Sequence, residues 1–170
     1  NILALMFLPF SLTYIAFLIY HSKDKKYLIL NTFYIILLGL GLSAIFWLPA
    51  LLEKQFVTGL QVFNFSDHFP DLYKLIIPSW GSGFSAGALQ NQLSFQIGIA
   101  NLAAVFMSVL VFLVYRKKNK KSLIILFFVA WFILIFFLMV KVSKPVWEHI
   151  SFMNYFQFPW RLISIEILVA

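Results

Sequence analysis

Along this chain the hydrophobic positions do not alternate with polar ones; they run on. Residues 1–20, 27–52 and 122–140 carry no charge. Residues 83–115 carry none either, although that run begins rich in Gly, Ser, Gln and Asn. A helix on the surface of a soluble domain would show a polar face within every two turns. About 20 apolar residues of helix cross the hydrocarbon of a bilayer. The pattern therefore predicts four complete spans, near residues 1–20, 28–50, 95–115 and 123–140, and a fifth that begins at Leu162 and is cut short at Ala170. The expected fold is all-α: a polytopic transmembrane fragment of a larger protein, one membrane domain over residues 1–170, with short interfacial helices in its longer loops.

Composition strengthens this reading. The chain is 62% hydrophobic and 11% charged, with 21 Phe, where soluble domains are ~45–50% apolar. Lipid must be the solvent for most of it. The absence of Cys removes disulfides and thiolate metal sites.

Charge placement orients the spans. The short connections 21–27 and 116–122 hold eight of the 13 basic residues. Four of the six acids, Glu53, Asp67, Asp71 and Glu148, fall in the other connections. Basic residues in short loops mark the cytoplasmic side, so 21–27 and 116–122 are expected inside and the loops 51–94 and 141–161 outside. Tight basic turns between spans suit anionic lipid headgroups and exclude a nucleic-acid patch. On the outer side, "NFS" at Asn64–Ser66 fits the glycosylation pattern, a weak three-residue match.

The candidate chemistry is concentrated outside. The stretch "SDHFPDLYKLIIPSW" is expected to form a short helix capped by Ser66 or Asp67, with Pro70 in its first turn, Leu72, Leu75 and Ile76 on one apolar face, and Pro78 as its stop. With Tyr73 and Trp80 nearby, it fits the membrane interface. On such a helix Asp67 and Asp71, four apart, share a face beside His68. That set would make a weak divalent-metal site or general base; "DHxxD" is not a specific metal signature. The glycines after it lack phosphate-loop spacing. In the second outer loop Pro145 opens a short helix, and "FQFPWR" brings Trp160 and Arg161 to the start of the fifth span. There Arg161 would either snorkel from an aromatic belt or grip a lipid phosphate. Glu166, the one acid within a span, is expected against a neighbouring helix or a wet cavity; five positions from Arg161, it is not its helical partner.

The segments "FWLPALLEKQFV", "SDHF…LIIPSWGSGFS…QLSFQIGIANL" and "FQFPWRLISIE" resemble the large prokaryotic membrane proteins labelled 6-pyruvoyl-tetrahydropterin synthase-related. The resemblance covers about residues 46–101 and 156–166, with "SFQIG" and "FPWR" its most distinctive parts. Nothing in the chain supports pterin chemistry: His21, His68 and His149 are scattered. That group is similar to GT-C-type glycosyltransferases, which move a sugar from a polyprenyl-phosphate carrier to an acceptor on the extracytoplasmic face. The resemblance implies the middle of such an enzyme in the prokaryotic plasma membrane, its catalytic acid N-terminal to this stretch, with Arg161, Trp160, Glu166, His68 and Asp67 as candidate substrate contacts. The rival classes are a transporter or lipid flippase and a non-catalytic scaffold. Transporters favour helices broken at the midplane, for which Pro9 and "GLGLSA" at 39–44 are the sole mid-span irregularities. Polarity gathered in outer loops favours the enzyme.

Overall fold

The computed structural model describes residues 2–53, 56, 65–79, 81, 83, 93–114 and 120–170. Asn64, Trp80, the glycine-rich stretch 84–92 and the basic residues 116–119 lie outside the described residues. Among those described, regular structure is helical. Two compact units can be distinguished: residues 7–61, and residues 62–170 together with residues 1–6.

The unit 7–61 contains most of α1 (Ile2–His21) and all of α2 (Lys25–Leu52). The predicted loop 21–27 contracts to residues 22–24, because nothing in "KKYLIL" opposes helix and α2 starts at Lys25. Pro9 lacks an N–H and so cannot bond back to the preceding turn. α1 continues past it all the same, and the Thr13 hydroxyl lies 3.0 Å from the Pro9 carbonyl oxygen and 2.9 Å from that of Phe10. α2 is likewise unbroken through residues 39–44. Two of its polar side chains are satisfied internally: the Ser43 hydroxyl lies 2.7 Å from the Gly39 carbonyl oxygen, and Trp47 Nε1 donates to that of Leu40 at 3.0 Å. α2 buries none of its residues.

The unit that includes residues 62–170 is built around α5 (Lys120–Met139). Both α4 (Ile99–Val114) and α7 (Ile163–Val169) pack on α5, as do the 3-10 turns 141–143 and 159–162. The last carbonyls of a helix have no partner within it. Here the Ser143 hydroxyl and Trp147 Nε1, each 3.0 Å away, both meet the Leu138 carbonyl oxygen. Trp147 lies on α6 (Lys144–His149), which opens at Pro145 as expected, and is fully buried. Leu75, Phe95, Ile97, Ile135, Met139 and Ile165 are also buried in this unit.

Three expectations change. Among the described residues, three helices are long and apolar enough to cross a membrane, with spans of Leu3–His21, Lys25–Leu52 and Lys121–Met139. α4 is apolar over its 16 described residues, and residues 115–119 beyond it lie outside the described ones. The predicted span 95–115 loses its beginning because residues 93–98 form no regular element, and Gly98, at φ +98°, joins them to the helix in a conformation that side chains resist. The short outer helix also starts later than its capping signals suggest. It is α3 (Leu72–Ile76), with Asp71 rather than Ser66 or Asp67 at its N-cap. Pro70 disfavours helical backbone at the residue before it, so residues 65–67 form a separate 3-10 turn and residues 68–70 are irregular. Of the expected apolar face only Leu75 is buried; Leu72 and Ile76 are exposed.

Candidate functional site

The late start of α3 decides the fate of the acidic cluster. Asp67 closes the 3-10 turn and is exposed, while Asp71 caps α3 and pairs with Lys74 at 3.4 Å. The two carboxylates do not share a helical face, because no helix joins them. Among the described residues no three His, Asp or Glu side chains come together to hold a metal ion.

His68 is drawn elsewhere. Its ring meets that of Phe158 edge-on, with centroids 4.6 Å apart. Phe158 in turn stacks on Trp160, 5.6 Å away and 6° from parallel, and Trp160 packs on Phe95 at 5.2 Å. Over this surface lies Arg161, its guanidinium carbon 4.9 Å from the Phe158 centroid and 5.9 Å from that of Trp160. The guanidinium donates from Nη1 to Gln157 Oε1 at 2.7 Å. No carboxylate among the described residues pairs with it. Among the described residues Arg161 is thus a half-buried permanent cation, held by two ring faces and one amide oxygen, with most of its donor fork uncommitted.

The local backbone explains how "FQFPWR" makes this arrangement. Gln157 has φ +66°, a left-handed conformation that costs a non-glycine residue about 1–2 kcal/mol. It reverses the chain, and the Phe158 N–H turns back to the Phe156 carbonyl at 2.7 Å. Pro159 then starts a 3-10 turn through Leu162, and the Arg161 N–H donates to the Phe158 carbonyl at 3.1 Å. Phe156 points into the core beside Trp147, whereas Phe158 turns to His68 and Arg161. A second aromatic group, Phe65 and Phe69 on Trp147, fastens the 65–69 stretch to α6.

Glu166 sits on the buried side of α7 with Ile165 and Val169 and has no exposed surface. Among the described residues neither carboxylate oxygen has a hydrogen-bond partner, nor does the buried Trp160 Nε1. Glu166 does not pair with Arg161, as the five-residue spacing implied. The structure therefore brings His68, Trp160 and Arg161 into one aromatic assembly, sets Asp67 and Asp71 apart as exposed residues, and buries Glu166 in helix packing. Gln157 and Phe158 are site residues that the sequence reading overlooked. Their signal was present in the "FQFPWR" run, as an amide four positions before an arginine and a ring three before it.

Comparison with protein-family models, with curated proteins and with solved structures finds no match to this chain.

Proposed function

We propose that this chain is the middle part of a GT-C-like membrane glycosyltransferase, and that Arg161 holds the phosphate of a polyprenyl-linked sugar. The observation that carries the reading is the state of Arg161: a preorganised guanidinium on an aromatic bed, with an amide partner and no described carboxylate. A planar donor fork suits a phosphate, and the aromatic bed suits the first apolar groups of a lipid carrier. In this reading α1, α2, α4 and α5 cross a prokaryotic plasma membrane and α7 begins a fifth span. Residues 21–27 and 116–122 face the cytoplasm, and the loops 51–94 and 141–161 face outward. His68 borders the site through Phe158, and Asp67, its neighbour in the chain, is exposed. The stretch contributes carrier binding, and the chemical step falls to residues outside it.

The test is sugar transfer from a polyprenyl-phosphate donor by the full protein in membranes. Arg161→Ala should lower transfer about 10- to 100-fold, the range for losing a hydrogen bond to a charged group, with membrane abundance unchanged. Arg161→Lys should recover only part of the activity, since a point charge replaces a fork. Wild-type transfer in Arg161→Ala would sink the assignment.

One observation favours a second reading, a transporter or lipid flippase: the buried, unpartnered Glu166. Ionisable residues inside membrane helices tend to mark substrate or proton paths. Loss of lipid or ion movement in Glu166→Gln vesicles, with no transfer activity in the wild type, would decide for that class.

A further inference from the structure

Gln157 stands where a glycine would be cheaper. Its φ of +66° lies in the region that side chains avoid. The turn it centres is closed by the Phe158 N–H on the Phe156 carbonyl at 2.7 Å, a three-residue reversal of the strained γ kind. Phe156 and Pro159 are both buried, so the turn is held from either side. A glycine would make the same reversal without the steric cost. Strain of this kind gathers at functional sites, and here the reason for it must lie in the side chain.

That side chain has one polar task. Gln157 Oε1 accepts from Arg161 Nη1 at 2.7 Å, and its amide makes no other hydrogen bond among the described residues. The two rings beside the guanidinium cannot replace this bond. A ring face attracts a cation without fixing how it is rotated, whereas a hydrogen bond is directional. Phe158 and Trp160 thus set where the guanidinium lies, and Gln157 sets which way its fork points. Of the five N–H donors, those on Nε and Nη2 form an edge that Gln157 leaves whole. Two parallel donors on one edge match two oxygens of one phosphate. A carboxylate in the place of Gln157 would orient the fork equally well but cancel its charge; the neutral amide orients it and leaves the charge intact.

We infer that Gln157 is the positioning residue of this site, holding the Arg161 fork oriented and still charged for a single phosphate group. The inference rests on the reading of Arg161 as the group that holds phosphate. Three substitutions separate this role from service to the backbone. Glycine relieves the strained φ and removes the amide. Asparagine tolerates a positive φ better than glutamine and keeps the amide, but is one methylene shorter, which withdraws it from Nη1. Glutamate keeps the length and puts a carboxylate on the guanidinium.

The full protein in a mild detergent would be titrated with farnesyl phosphate, and the unfolding midpoint of each variant recorded beside its affinity. Gln157→Gly and Gln157→Asn should each bind about 2- to 10-fold more weakly, the cost of immobilising one long side chain on binding, with midpoints at or above wild type. Gln157→Glu should bind about 10- to 100-fold more weakly, as Arg161→Ala does, because the guanidinium is then already paired. Wild-type affinity in the Gly and Asn variants, with binding lost in Arg161→Ala, would overturn the positioning role and leave Arg161 as the phosphate group. Weaker binding with lowered midpoints in both would assign Gln157 to the fold and overturn the role as well. Wild-type affinity in Arg161→Ala, or no binding by the wild type, would overturn the reading of Arg161 and this inference with it.

Discussion

α2 and α5 are equally plausible membrane helices by length and apolar composition, yet they live in different surroundings. α2 buries none of its residues, whereas α5 buries Phe132, Ile135 and Met139 and carries α4, α7 and two 3-10 turns on its flanks. Part of the difference lies just beyond the end of α5. There the chain turns at once into short elements whose side chains come back onto the helix end: the Ser143 hydroxyl and Trp147 indole reach the Leu138 carbonyl, and Trp147 collects Phe65, Phe69 and Phe156 around itself. Hydrophobicity thus identifies a span and says nothing of its neighbours; at the end of α5 a buried tryptophan gathers them.

If that is so, Trp147→Ala should have the largest effect in the molecule. Truncating a fully buried tryptophan costs about 3–5 kcal/mol, here with a lost hydrogen bond besides, and should lower the unfolding midpoint in a mild detergent by many degrees. Ser143→Ala should cost about 1 kcal/mol, since the Leu138 carbonyl keeps the indole donor and only the hydroxyl's share is lost. Its effect in a Trp147→Phe background should be larger, because that carbonyl would then have lost both side-chain donors; additive losses would break the claim that the two act on one carbonyl. Phe46→Ala on α2 should fall within about 0.5 kcal/mol of wild type by the same unfolding measurement, because the ring is 80% exposed and leaves no cavity. A cost comparable to that at Trp147 would mean that α2 is packed against protein after all.

The same contrast explains how much could be read in advance. The helical class, the places of α1, α2 and α5, and Pro145 at the start of α6 all follow from local chemistry: uncharged runs, basic turns and a proline that suits a first turn. Reading failed where two local signals compete. At residues 66–71 the capping signals and Pro70 point to different starts, and the proline wins, which pulls Asp67 and Asp71 off a common face. At 93–98 the alternation in "LSFQIG" was swallowed by the apolar run behind it, though Phe95 and Ile97 are buried and Ser94 and Gln96 exposed in period two. The candidate site was legible as residues and not as an arrangement. Arg161, Trp160 and His68 could be named from their types, but the ring of Phe158 that joins them depends on the left-handed turn at Gln157, for which no glycine or asparagine gave notice.

The internal bonding of α2 has a consequence for how the helix can be used. Ser43 and Trp47 both turn onto carbonyls of their own helix, and a methyl at Gly39 or Gly41 would meet nothing within 4 Å. Over residues 39–47 the helix therefore makes no polar demand on whatever lies beside it. Acyl chains and another protein helix would serve that stretch alike. A preference for one neighbour there has to come from shape, through the shallow notch at those glycines, and would be erased by filling the notch without disturbing the fold.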